Sequence, residues 1–146
     1  MSPLLRISLT ALMLAALSTV HASSNEFIGM PGLWMTTTHR FHNNKEISPP
    51  VVAWNCVVEG ADPWISFAKL PVPGHEAQQC DRSAQEHSNA SLAWKQTCPG
   101  VTAVQGTGQI DFDSATDYTG RFILDGGTDR IEVQGIRRAA CTSPMD

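Results

Sequence analysis

Two histidines three residues apart, His39 and His42, are the first groups in the chain whose types and spacing could do chemistry. An H-x-x-H pair can hold zinc or copper when both imidazoles reach one ion. Around them, however, Leu33, Met35, Thr37, His39 and Phe41 alternate with Trp34, Thr36, Thr38 and Arg40, the period of a strand. Strand positions three apart point to opposite faces, so a shared ion needs a bulge or a turn between the rings. His75 and His87 lie in polar stretches without a ligand partner nearby in sequence. These imidazoles read as solvated, and no metal or cofactor is expected. Asp111 and Asp113 share the polar face of a strand end, with Asp117 close by. Paired carboxylates do acid–base work when one pKa is raised, but at a turn they read as solvated flanking residues. Ser66, Ser83 and Ser91 lack the G-x-S-x-G context of a hydrolase nucleophile. No catalytic residue is assigned, and the chain reads as a non-enzyme.

The cysteines and tryptophans carry more. Cys56, Cys80, Cys98 and Cys141 form an even set with no C-x-x-C pair, which favours two disulfides over a zinc site. Four cysteines allow three pairings, of which Cys80–Cys98 with Cys56–Cys141 is the expected one. Folding the chain back at Asn89 brings Cys80 level with Cys98, Arg82 with Gln96 and Ala84 with Trp94. That describes a stapled hairpin with a Ser88-Asn89-Ala90 loop, in which Asn89 is the expected positive-φ residue, and a register shifted by one residue stays open. Cys56–Cys141 would tie an early strand to the last. Asn89-Ala90-Ser91 also matches a glycan acceptor, which would simply mark an exposed tip. Trp34, Trp54, Trp64 and Trp94 are a large aromatic share for this length. They read either as core or as the wall of a cavity. The residues expected to line such a cavity are Trp34, Trp54, Trp94 and Phe122. Arg137-Arg138 could meet an anion at a rim, but an exposed Arg pair usually only solubilises.

The elements that must position these groups are strands. Val51–Val58, entered through Pro49-Pro50, suits a sheet edge. Asp62-Pro63 opens a short helix with Trp64, Ile65, Phe67 and Ala68, ended by Pro71 and Pro73-Gly74. Three strands follow the stapled hairpin: residues 101–112, 118–124 and 130–136. Each alternates an apolar set with Gln, Asp, Arg or Glu, as in a sheet with one wet face. Gly106, Gly108, Gly120 and Gly135 fall on the apolar faces, where they permit a sharp curl or the close approach of a bulky ring. The fold expected is all-β: an antiparallel meander curled into a barrel or half-barrel, with one short helix capping an opening.

The first residues indicate the compartment. Arg6 precedes an apolar run from Ile7 to Val20, and Val20-His21-Ala22 is a small-x-small cleavage signal. At about 14 residues the run is shorter than the roughly 20 a bilayer-spanning helix needs. Residues 1–22 are therefore read as a secretory signal, and residues 23–146 as one disulfide-bonded domain without a membrane span. Ser23 to Met30 reads as a loose lead-in. Losing Arg6 takes the net charge from −4 to about −5, which argues against nucleic acid as a partner.

Several marks, taken in order, resemble a family of short exported bacterial proteins, the domain of unknown function 3617 family. They are Pro31-Gly32-Leu33-Trp34 after the signal, Cys56 after a β segment, Cys80 into a hairpin, and Trp94-Lys95 before Cys98. Gly106-x-Gly108, Tyr118-Thr119-Gly120, Gly135-Ile136-Arg137-Arg138 and Cys141 complete the series. The chain departs from that pattern at Met35, along Thr36 to Asn44, and at Ala139-Ala140. The resemblance implies an exported bacterial protein and supplies no activity. The function expected is a non-enzymatic periplasmic or secreted module binding a small apolar ligand or an envelope component. The alternatives are a structural or protein-interaction module with a filled core and, third, a metal binder or enzyme using His39 and His42.

Overall fold

The computed structural model describes residues 27–68, 80–99 and 103–141. The signal segment, Pro71, Pro73-Gly74 and His75 lie outside them. Among the described residues, eight strands and one helical turn follow in chain order: β1 (Gly32–His42), β2 (Lys45–Glu46), β3 (Val51–Val57), α1 (Pro63–Ser66), β4 (Asp81–His87), β5 (Ser91–Cys98), β6 (Val104–Ser114), β7 (Asp117–Leu124) and β8 (Asp129–Ala139). All pair antiparallel in one sheet of order β2-β1-β8-β7-β6-β5-β4, with β3 joined to the same side of β1 as β2. The sheet is curled but not closed, so β3 and β4 remain as edges.

The alternation read in the three late strands holds. Ile110, Phe112, Tyr118, Phe122, Ile131 and Val133 are buried on the inner face. The register places the glycines beneath large rings. A methyl at residue 108 would overlap the Trp94 indole, and one at residue 135 would overlap Tyr118. Glycine at these positions lets the rings lie flat on the backbone, so the curl is filled as it forms. The Asp125–Thr128 turn behaves as expected, with Gly126 and Gly127 at φ of 97° and 71°. Asn43 and Asn44 likewise take positive φ, 49° and 63°, and turn β1 into β2.

In β1 the inner face is the Trp34, Thr36, Thr38 set. Trp34 is 1% exposed, and its indole N–H donates to the Met30 carbonyl at 3.0 Å. The residues before it are not a loose lead-in from Phe27 onward. The Ile28 N–H donates to Asn89 O (2.8 Å) and the Met30 N–H to Ala115 O (2.9 Å), which pins the segment across two hairpin ends. Phe27 packs edge-on against Phe112 at 4.8 Å. An apolar Phe-Ile pair beside an open cup gains more by burial than by solvation.

Both expected disulfides are present, Cys56–Cys141 and Cys80–Cys98. Two disulfides belong to an oxidising, non-cytoplasmic environment. The stapled hairpin begins in the expected register, Arg82 opposite Gln96, then slips by one residue between Ser83 and Glu86. Ala84, at φ 47°, takes up the extra residue as a bulge, so the tip shortens to Asn89-Ala90 between Ser88 and Ser91. Asn89 therefore has no positive φ: the left-handed residue moved into the strand.

Candidate functional site

The open end of the cup is closed by α1. Asp62 caps its start, with Oδ1 accepting from the Trp64 N–H at 2.8 Å, and Pro63 occupies the first helical position. One turn has little intrinsic stability, so tertiary contacts hold it. Phe67 and Ala68 are 5% exposed, and Phe67 meets Trp34, Phe112 and Tyr118 edge to face. Trp64 stands edge-on to Trp94, 6.1 Å between centroids and 87° between planes. Arg82 of β4 donates to the carbonyls of Trp64 (2.6 Å) and Ala68 (3.3 Å), while Asn55 of β3 donates to Ser66 O (3.4 Å). The helical turn is thus tied to both free edges of the sheet.

Beside it lies a pocket of about 450 Å³. Its walls are Phe27, Pro31, Val57, Ala61, Trp64, Phe67 and Leu92, with Glu59, Gly60 and His87 among the lining residues. An apolar wall with few polar groups is the usual construction of a small-molecule site. A second hollow of about 410 Å³ lies on the outer face, lined by side chains that include His39, Asp111, Arg121 and Glu132. Its walls are polar groups already facing water, so an apolar ligand would gain little there.

The four residues expected to line a cavity do not line the apolar pocket. Trp34 and Trp94 are 1% and 2% exposed, and Phe122 is fully buried. They are core because the space above the inner glycines is taken by rings instead of being left empty. Trp54 is on the other side of the sheet. It pairs with Met35, whereas Trp34 pairs with Asn55, and it is 56% exposed. The tryptophan that does face the pocket is Trp64. The Asp62-Pro63 helix start pointed to it, since an apolar turn must cover something.

The remaining reactive groups are dispersed. His39 Nδ1 meets Glu46 Oε1 and His42 Nδ1 meets Asp129 Oδ1, each at 2.7 Å. Among the described residues no group of three or more His, Cys, Asp or Glu could hold a metal ion. Asp111 accepts from Gln109 at 2.8 Å. The Thr116 and Ser114 hydroxyls donate to Asp117 and hold its carboxyl below the ordinary range, helped by the nearby Arg138 charge and opposed by slight desolvation. That is the reverse of the raised pKa a general acid needs. Burial pushes the Tyr118 phenol up to about 12. Arg137 donates to Pro31 O at 2.7 Å, tying the chain's entrance to β8.

No family model matches the chain, and no curated protein or solved structure matches it either. Nothing in those comparisons indicates an enzymatic activity.

Proposed function

We propose that this chain is an exported protein of the bacterial periplasm or exterior, sent out by the signal in residues 1–22, that binds a small apolar ligand or the apolar part of an envelope component. The resemblance to the domain of unknown function 3617 family supports the export in that reading and supplies no activity. The observation that carries it is the pocket of about 450 Å³ beside α1, walled by Phe27, Val57, Ala61, Trp64, Phe67 and Leu92. Filling such a space with hydrocarbon releases about 25 cal/mol per Å² of apolar area. The rim groups Glu59 and His87 would orient a polar end.

Trp64 is the reporter. Fatty acids and an aromatic probe, titrated into a Trp54→Phe background, should quench or blue-shift the emission. Ala61→Leu, which fills the pocket, should weaken that binding about tenfold or more. No response to any probe, or one that Ala61→Leu leaves unchanged, would overturn the proposal. Amino-terminal sequencing of the exported protein should begin near Ser23.

The second reading is a structural or interaction module with a filled core. The complete burial of Trp34, Trp94 and Phe122 and the exposed edge at β3 favour it. The same titration separates the two.

A further inference from the structure

The two edges of the sheet are built differently. Edge β4 is polar, with Asp81, Arg82, Glu86 and His87, and it carries the Ala84 bulge. Charges and bulges are the usual guards against unwanted strand pairing. Edge β3 has neither. From Ile47 to Val58 there is no charged residue, and β3 pairs with β1 without a register shift. Ile47, Val51, Val52, Trp54 and Val58 are each more than half exposed.

This exposure lies on both faces of the strand. Val52 and Trp54 pair with Thr37 and Met35 on the outer face, and Val51 pairs with Thr38 on the inner face. A lid laid on one face of the sheet would cover only one of these sets. A strand added at the edge touches both. The edge is also rigid: seven residue pairs hold it to β1, and Cys56–Cys141 ties it to the end of the last strand. Rigidity lowers the ordering cost of an added strand.

We infer that β3 is a homodimer edge, at which a second copy of this chain adds its own β3 antiparallel across a two-fold axis. A two-fold contact sets the same strand against itself, so any charge in it would meet its like or be buried at the seam. The neutral run Val51–Val57 meets that condition, which a strand serving a charged peptide would not need to meet. Centring the axis on Trp54 gives the longest overlap. It opposes Trp54 to its copy, Val52 to Cys56, and Val51 to Val57, and joins two curled sheets into one. The inference stands on the edge and not on the pocket.

Sedimentation equilibrium of the oxidised mature chain, from micromolar to near-millimolar concentration, tests it. The wild type should show a reversible monomer–dimer equilibrium. Trp54→Lys and Val52→Lys should each weaken association about tenfold or more, since two-fold symmetry sets the charge at residue 54 against its copy and buries the one at residue 52 opposite Cys56 at the seam. Both positions are exposed, so far-UV circular dichroism and probe binding at the pocket should stay as in the wild type. A wild type monomeric at every concentration overturns the proposal. So does a dimer that survives both substitutions, or an assembly larger than a dimer.

Discussion

Gly108→Ala is a sharp perturbation of the core. The added methyl would overlap the Trp94 indole, which lies across residue 108. Trp94 has nowhere to retreat. It is 2% exposed, its N–H donates to Gln96 Oε1 at 3.0 Å, and its edge is set against Trp64. Overpacking of this kind costs about 1–3 kcal/mol. If the ring tilts, the buried Gln96 carbonyl loses its donor, for about 1–3 kcal/mol more. Replacing a strand glycine returns roughly 0.5–1 kcal/mol through chain entropy. The net loss is about 3 kcal/mol, a fall of roughly 10–15 °C in Tm. Urea unfolding of the oxidised protein, followed by far-UV circular dichroism, gives the stability. Tryptophan emission reports the ring. Thr107→Ala, one residue along on the wet face, is the control and should cost under about 1 kcal/mol. Because Trp94 braces Trp64, Gly108→Ala should also weaken binding of the apolar probe. If Gly108→Ala unfolds within about 0.5 kcal/mol of the wild type with unchanged emission, the argument that glycine makes room for the rings is wrong.

Other outcomes follow from the same contacts. Arg82→Met keeps the aliphatic stem but frees the carbonyls of Trp64 and Ala68; it should cost about 1–3 kcal/mol and loosen the pocket, seen as weaker probe binding. Tyr118 is held neutral by burial, with its pKa raised from 10 to about 12. Its contribution is therefore complete below pH 10 and lost as pH rises toward 12, a total fall of about 2–3 kcal/mol in the stability measured by urea unfolding that Tyr118→Phe should flatten. Replacing both cysteines of a pair by alanine removes a loop closure over 85 residues for Cys56–Cys141 and 18 for Cys80–Cys98. The expected losses are about 4.6 and about 3 kcal/mol, and equal losses in denaturant would reject loop-closure entropy as their origin.

The strands of the late meander, the Cys80–Cys98 pairing and the helix start at Asp62 were legible because their causes are local. A period of two, a pair of level thiols and an Asp-Pro cap act over a few residues. The inner-face glycines announced a tight curl with rings pressed close, and Gly108 beneath Trp94 is that arrangement. What alternation cannot tell is which face is inside. Trp34 and Trp54 sit in equally good strand patterns, yet the pairing of β1 with β3 sends one into the core and the other into water. The position of the slip at Ala84 was likewise out of reach, since a bulge answers to the partner strand.

The site shows the same division. Residue types alone made an apolar lining plausible and located the helical cap. Only the folded chain placed Phe27, Val57, Ala61, Trp64, Phe67 and Leu92 around one space, because they come from the entrance segment, an edge strand, a helical turn and a hairpin far apart in sequence. Short-range preferences decide what each segment becomes. Which surfaces are left uncovered is decided by how an open sheet curls, and no segment carries that information by itself.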